Sequence, residues 1–124
     1  MHKSKLAGFI IDCKTDDLDA AAEFWAAALG APPKKKEGKY VTLQTAPGEP
    51  YVEVQSVSHP SRVHIDIEAD DIDAEVKRLI GLGAKEVARI SSWCVLEAPT
   101  GQRFCVVPVL GKDFDKKANV WKDK

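Results

Sequence analysis

Apolar side chains follow two alternating patterns along this chain, and the pair of patterns occurs twice. Short apolar runs rich in Ile, Val and Phe, over residues 6–13 and 63–69, are typical of strands. Each run is followed by apolar residues at helical spacing. These segments begin near Asp16 or Asp17 and near Asp71, and each ends at glycine. Each half of the chain therefore begins with a predicted strand and a predicted helix.

Further strand-like runs follow each helix, separated by matching turns at residues 46–49 and 99–102. The polar segment 32–38, with three consecutive lysines, fits either an edge strand or a loop. The tail, residues 111–124, carries Phe114, Ala118 and Trp121 at helix-like spacing, so it either docks as a helix or stays a loose basic tail. The predicted strands are 40–45, 51–57, 85–90, 93–96 and 103–110.

An internal repeat explains this recurrence. The sequence of residues 16–20 returns at 70–74 with Ile72 in place of Leu18, and Leu-Gly-Ala at 29–31 returns at 82–84. The stretch 40–57 aligns with 93–110 and places Val52 on Cys105. The repeat predicts an α+β fold of two tandem β-α-β-β-β modules, about residues 6–57 and 62–110, within a single domain over residues 1–124.

Composition and charge narrow the classes of partner. The chain has 124 residues, 44% of them hydrophobic, and a formal net charge of −1, which indicates one globular domain without a global field for nucleic acid or membranes. The apolar runs are too short for a secretory signal or a membrane span. Three cysteines without CxxC spacing indicate reduced thiols, so we expect a cytoplasmic protein.

The repeated stretches resemble the vicinal oxygen chelate superfamily, which includes glyoxalase I, bleomycin-resistance proteins and extradiol dioxygenases, and within it the glyoxalase-like branch. The resemblance covers about residues 6–110. It implies two modules side by side, a half-open barrel-like sheet around a central cleft, a small-molecule ligand and a homodimer. The stretches that carry it are FIIDC (9–13), FWAAALG (24–30), RVHIDI (62–67), LGA (82–84), WCVL (93–96) and GQRFCVV (101–107).

Relatives of this kind place metal ligands on the first and last strand of each module. The matching positions here are Ile10, Val52, His64 and Cys105, of which only His64 is a typical ligand. A shift of one residue would bring Glu53 into the position of Val52. The resemblance therefore implies an incomplete set of ligands, and we expect neither a bound metal nor another cofactor.

The strand that follows residue 61 carries the main candidate chemistry. Alternation turns Val63, Ile65 and Ile67 toward the helices and leaves His64, Asp66 and Glu68 facing the cleft. The repeat places Asp12 on Asp66, so both carboxylates are candidate ligand contacts. His64 is the candidate catalytic base, with a purely structural histidine as the alternative reading.

Other candidates carry two readings each. Cys105 is a nucleophile beside His64 or a buried inert thiol. Trp93 stacks on an aromatic ligand or belongs to the core, whereas Phe24 and Trp25 are predicted core residues. His2 and His59 receive no role.

Three hypotheses about function follow. The first is a small-molecule binding protein, either a metal-independent enzyme or a sequestering protein like those of bleomycin resistance. The second is a metal-dependent lyase or dioxygenase that uses His64 with Glu53. The third is an interaction domain whose cleft is filled by its own side chains or tail. The sequence does not identify a substrate, and it does not distinguish an enzyme from a binding protein.

Overall fold

The protein is described by a computed structural model over residues 1–122, and these residues form nine strands and three helices. Each predicted module has the order β-α-β-β-β, so the predicted α+β class is confirmed. Within residues 1–122, no helix is both long and apolar enough to cross a membrane. In chain order the elements are β1 (His2–Lys14), α1 (Leu18–Leu29), β2 (Pro33–Glu37), β3 (Tyr40–Leu43), β4 (Tyr51–Val57), β5 (Arg62–Ala69), α2 (Ile72–Gly81), β6 (Lys85–Ile90), β7 (Trp93–Glu97), β8 (Arg103–Pro108), α3 (Phe114–Lys117) and β9 (Asn119–Trp121).

The contacts of the chain separate into two compact units. The first unit is Gly8–His64, and the second unit combines Met1–Ala7 with the chain from Ile65 onward. Strand β1 therefore contributes to both units, and the border between them falls inside β5. That the two units form a single domain over residues 1–124 remains a prediction.

In the first unit the strand order is β2-β3-β4-β1, with β1 and β4 parallel and the other neighbours antiparallel. Helix α1 begins after Asp17, whose carboxylate accepts a hydrogen bond from the backbone N–H of Ala20, and it ends at Gly30 with φ 65°. Strand β2 is an exposed edge strand, so the lysine run is not a loop. The core under α1 consists of Leu18, Ala22, Ala31, Val41, Leu43 and Val54.

The second unit repeats this plan with the order β6-β7-β8-β5, again with one parallel pair, β5 and β8. Helix α2 begins after Asp71, which caps it as Asp17 caps α1. The first residues of β1 join this unit. The backbone N–H of Asp70 donates to the carbonyl oxygen of Lys3, and the backbone N–H of Lys3 donates to Asp70 Oδ1. The core under α2 consists of Ala69, Val76, Leu79, Ala84, Cys94, Leu96 and Val106.

The elements at the two ends of the described chain differ from those predicted. Strand β1 begins at His2 instead of residue 6, because its first residues pair with β9, with His2 opposite Trp121. The tail forms one short helix and this strand instead of a longer helix, and the indole N–H of Trp121 donates to Ser4 Oγ at 2.8 Å. Residues 123 and 124 of the predicted tail lie outside the described residues.

Three apolar residues that were predicted to lie in the core or to face the helices are exposed. Phe24 is 62% exposed, because α1 turns Leu18, Ala22 and Trp25 inward and Phe24 lies about 100° away from Trp25 around the helix. Val63 and Ile65 are 58% and 43% exposed. Of the three apolar residues expected to face the helices, only Ile67 packs against the core under α2.

A buried ionic cluster joins β1, α2 and β9 in the second unit. Glu75 is fully buried, and its carboxylate accepts hydrogen bonds from His2 Nε2 at 2.8 Å and from two nitrogens of Arg78 at 2.8 Å each. The Arg78 guanidinium also stacks on the ring of Trp121, 3.8 Å from its centroid. Burial alone would raise the pKa of the Glu75 carboxyl, but hydrogen bonds from Arg78, His2 and Ser4 together hold that pKa below its ordinary value.

The substitution Glu75→Gln should lower the free energy of unfolding by about 3 kcal/mol at neutral pH, because it leaves the Arg78 and His2 groups without their counter-charge. Because the folded-state pKa of Glu75 is lowered, its contribution is present above the unfolded-state pKa and is lost as pH falls through the folded-state pKa. Chemical denaturation at several pH values measures both effects. The exposed Glu86, paired with Arg89, supplies the control: Glu86→Gln should cost below about 1 kcal/mol. Equal losses in the two variants would contradict the prediction.

Candidate functional site

The face of the first unit that points away from α1 is polar. Val52 and Val54 turn toward the core under α1, and the residues between and after them, Glu53 and Gln55, therefore point the other way. Thr42 Oγ1 donates to Glu53 at 3.0 Å, and Gln55 Nε2 donates to the hydroxyl of Tyr40 at 3.0 Å. Strand β1 adds Asp12, which is paired in register with Gln55.

Asp12 holds the imidazole of His64. The Asp12 residue is 2% exposed, and its Oδ2 accepts a hydrogen bond from His64 Nδ1 at 2.9 Å. A carboxylate at Nδ1 selects the neutral tautomer with the proton on that nitrogen, so Nε2 becomes the acceptor nitrogen. An acceptor Nε2 is what a general base or a metal-ligating histidine requires.

Two further nitrogen groups surround the same carboxylate. Arg62 Nε lies 3.7 Å and His59 Nε2 lies 3.9 Å from Asp12 Oδ2. Both distances are too long for hydrogen bonds, and the Arg62 guanidinium makes a charge contact. His59 Nδ1 lies 2.8 Å from the carbonyl oxygen of Pro60, and Arg62 Nη2 donates to His59 Nε2 at 3.4 Å. Among the described residues, Asp12 Oδ1 has no hydrogen-bond partner.

Arg62 and His59 were not among the site residues predicted from the sequence. Arg62 stands two residues before His64 on β5, so strand alternation alone puts both side chains on one face and was a usable signal. His59 lies in the loop before β5, and no sequence pattern brings it to Asp12.

In the second unit, Asp66, Cys105 and Trp93 lie on the face away from α2. Asp66 and Cys105 are partners in the parallel register of β5 and β8, and they are 6% and 9% exposed. Trp93 precedes Cys94, which is fully buried under α2, so the indole of Trp93 points to the opposite face. The predicted orientation of these three candidates agrees with the strand pattern, and their contact with a ligand stays a prediction.

Glu68, expected to face a cleft, instead binds the backbone of the tail. Its Oε2 accepts hydrogen bonds from the N–H groups of Leu110 at 2.7 Å and Gly111 at 3.0 Å. Lys5 Nζ adds a charge contact at 3.9 Å. The carboxylate of Glu68 therefore anchors the segment that follows β8.

The mapping of Val52 onto a metal-ligand position is wrong. Val52 packs against the core under α1, whereas its repeat mate Cys105 faces away from α2. The cause is turn length: Leu43 pairs with Val52 and Leu96 with Phe104, so the first turn holds one residue more than the second. Glu53, the alternative residue, is the one on the polar face.

One of the residues at the metal positions cannot bind a metal. Ile10 is 2% exposed, stands opposite Glu53 in the register of β1 and β4, and offers no donor atom. Within the first unit, His64 and Glu53 are the residues at these positions that carry donor atoms. Divalent metals in catalytic sites take about three well-matched protein ligands.

The cysteines are free thiols. Burial raises the pKa of Cys94, which lies in the core under α2, and burial likewise raises the pKa of Cys13. These two thiols are therefore poor nucleophiles at neutral pH.

A groove of about 450 Å³ lies on the other side of the first unit, between α1 and β2. It is separate from His64, because Val41, one of its lining residues, faces α1. Its lysines are partly neutralised, since Lys36 Nζ contacts Asp19 at 2.8 Å. The remaining lining residues are Ala22, Glu23, Pro33, Lys34 and Lys35.

The family model of the glyoxalase-like domain matches residues 8–107, and the chain belongs to this family. Its fold is similar to that of solved vicinal oxygen chelate proteins, as the sequence predicted. A search of curated proteins found no significant match.

The similar solved structures include a hypothetical protein from Bacillus halodurans, with a TM-score of 0.66, 13% identity, and coverage of 88% of this chain and 96% of that one. They also include methylmalonyl-CoA epimerase from Mycobacterium tuberculosis, with a TM-score of 0.64, 18% identity and coverage of 86% and 89%. The epimerase from Streptomyces coelicolor has a TM-score of 0.58, 18% identity and coverage of 85% and 98%. At these identities the likeness shows the fold alone.

The Asp12 carboxylate should fix the tautomer of His64. At a pH where the imidazole is neutral, ¹⁵N NMR should show the His64 proton on Nδ1, because that nitrogen donates to Asp12. In Asp12→Ala the proton should move to Nε2, the form that imidazole prefers in water. The exposed neighbour Asp16 gives the control, and Asp16→Ala should leave the Nδ1–H form in place. A His64 proton on Nε2 in the unmodified protein would contradict the assignment.

Proposed function

We propose that this protein binds a small organic molecule on the polar face around His64, and that His64 Nε2 accepts a proton or hydrogen bond from it. The single observation that carries the proposal is the 2.9 Å hydrogen bond between His64 Nδ1 and the buried carboxylate of Asp12. Asp12 and Asp66 are proposed ligand contacts on the same account, with Trp93, Glu53 and Cys105 as further contacts.

The energetic cost of burying Asp12 supports this proposal. A buried charge costs several kcal/mol unless it is paired, and an unsatisfied polar atom costs roughly 1–3 kcal/mol. Asp12 is nearly fully buried, yet Oδ1 has no hydrogen-bond partner among residues 1–122. Such a cost is common where a group serves a ligand rather than stability alone.

Solved proteins of similar fold support a small-molecule role. One epimerase structure holds methylmalonyl-CoA, a small-molecule substrate. We propose the same general use of the scaffold here, with a different and unnamed ligand.

A second candidate is a metal-dependent enzyme that uses His64 and Glu53. The observation that favours it is again the carboxylate behind Nδ1, since metal-ligating histidines usually donate their other ring N–H to such a group. The donor-free side chain of Ile10, which stands opposite Glu53 in the register of β1 and β4, argues against it. We therefore place the metal-independent reading first.

Metal analysis separates these two candidates. Freshly purified protein should hold well under one tightly bound zinc, nickel, manganese or iron ion per chain, because Ile10 supplies no ligand. Elemental analysis by mass spectrometry measures the ratio. A stoichiometric ion that disappears in His64→Ala would restore the metalloenzyme, and Lys35→Ala should leave any metal content unchanged.

Ligand screening tests the leading proposal. A thermal-shift screen of small metabolites should find stabilising ligands, whose affinities calorimetry then measures. His64→Ala and Asp66→Ala should each weaken such a ligand about tenfold, or about 1.4 kcal/mol, through the loss of a direct hydrogen bond. The exposed-strand variant Lys35→Ala should bind like the unmodified protein. Unchanged affinity in both folded variants would place the site elsewhere.

A third candidate, an interaction domain filled by its own tail, is favoured by the hydrogen bonds from Leu110 and Gly111 to Glu68. A small-molecule ligand found in the thermal-shift screen would contradict the interaction-domain candidate. We propose a homodimer from the resemblance, and light scattering of the purified protein measures its oligomeric state. We propose a cytoplasmic location from the free thiols and the short apolar runs. The exposed apolar side chains of Val63 and Ile65 would supply area for such an interface.

A further inference from the structure

We propose that the ligand of the His64 site is a small carboxylate, and that the guanidinium of Arg62 binds its carboxylate group, with His59 as the residue that positions Arg62. This inference rests on the proposed function, because it names the class of ligand for the same site. It depends on three features of Arg62: its place beside His64, its unused donors and its distance from Asp12.

The side chains of Arg62 and His64 lie close to the same carboxylate oxygen. They stand two residues apart on β5 and therefore share a face of the strand. His64 Nδ1 and Arg62 Nε lie 2.9 Å and 3.7 Å from the same oxygen, Asp12 Oδ2. A molecule in contact with the imidazole is therefore also within reach of the guanidinium.

The donors of Arg62 are mostly not used by the protein. A guanidinium carries five N–H donors, and the hydrogen bond from Nη2 to His59 occupies one of them. The contact with Asp12 at 3.7 Å is beyond hydrogen-bond distance, and the side chain is 44% exposed. The planar fork of an arginine fits the two oxygens of a carboxylate.

Arg62 is not placed as a simple counter-ion for Asp12. A guanidinium that served this purpose would bind the carboxylate oxygens directly, yet Asp12 Oδ1 has no partner within residues 1–122. The hydrogen bond between Nη2 and His59 Nε2 instead holds the guanidinium beside the loop. Asp12 thus orients His64 by a hydrogen bond and balances part of the Arg62 charge across 3.7 Å.

The neighbouring loop adds to the positive character of this edge. The backbone N–H of Lys14 donates to Ser61 Oγ at 2.9 Å and ties the loop before β5 to the end of β1. Lys14 follows Asp12 by two residues, so both side chains leave β1 on one face. Lys14 therefore adds a second permanent cation to the edge that carries Arg62.

The spacing of the ligand's groups follows from the same geometry. The imidazole and guanidinium adjoin one carboxylate oxygen. The structure therefore favours ligands whose carboxylate lies only a few bonds from the atom that contacts His64.

Matched probes test the inference. Pyruvate and its neutral amide, pyruvamide, are titrated into ¹⁵N-labelled protein at constant ionic strength, and the Arg62 Nε–H signal is followed by NMR. Pyruvate should shift this signal saturably, and pyruvamide should bind about tenfold or more weakly, because it lacks the charge that the guanidinium recognises. Arg62→Gln should weaken pyruvate by a similar factor, and Arg62→Lys should fall between, since it keeps the charge and loses the fork.

The control is Arg103→Gln, which removes a guanidinium paired with the partly exposed Glu97 and should leave pyruvate binding unchanged. If pyruvate and pyruvamide bind equally and Arg62→Gln changes neither, while His64→Ala weakens both, the His64 site stands and the carboxylate inference is wrong. If Arg62→Gln abolishes pyruvate binding and His64→Ala does not, the carboxylate subsite stands and the proposed role of His64 is wrong. Absence of saturable pyruvate binding overturns the inference.

Discussion

Buried carboxylates are the constraint on which both units depend. A carboxylate that leaves water must gain donors, or its burial opposes folding by several kcal/mol. Glu75 gains them from His2 and Arg78, and this requirement ties the start of β1 to α2 and, through the ring of Trp121, to β9. Asp12 gains its donor from His64, and this requirement orients an imidazole.

The two carboxylates differ in how completely they are satisfied, and that difference separates structure from function. Glu75 has donors at both oxygens and lies in a cluster closed by an aromatic ring. Asp12 has a hydrogen bond at Oδ2 alone, and its cationic neighbour Arg62 is exposed. The Glu75 cluster is typical of a structural ion pair. The Asp12 arrangement leaves a carboxylate oxygen and guanidinium donors that can bind another molecule.

The sequence predicted the parts of the fold that local patterns control. The aspartates before each helix and the repeated strand spacing gave the modules and the starts of α1 and α2, because capping and periodicity act over a few residues. The length of β1 was not predictable, since burial of His2 depends on Glu75, which lies 73 positions away. Whether Val52 or Glu53 lies on the polar face depends on one extra residue in the turn before β4. A repeat alignment does not resolve that residue.

The candidate site divides in the same way. His64 and Asp66 were predictable from strand alternation, whereas the link from His64 to Asp12 joins residues 52 positions apart. The repeat suggested Asp66 as the counterpart of Asp12, but the hydrogen bond that the structure gives Asp12 goes to His64. Arg62 was within reach of the alternation argument, and His59 depended on the path of a loop.

The division of β1 between the two units has a consequence for how the chain is made. The first unit is one continuous stretch, Gly8–His64, so all of its partners have been synthesised when His64 leaves the ribosome. The second unit needs Met1–Ala7 together with the stretch from Ile65 onward, and His2 can pair with Trp121 only after residue 121 has been synthesised. Closing so long a loop is slow relative to local folding. During synthesis, the nascent chain therefore carries half of β1 as an unpaired edge, a template for wrong strand pairing that lasts until β9 arrives.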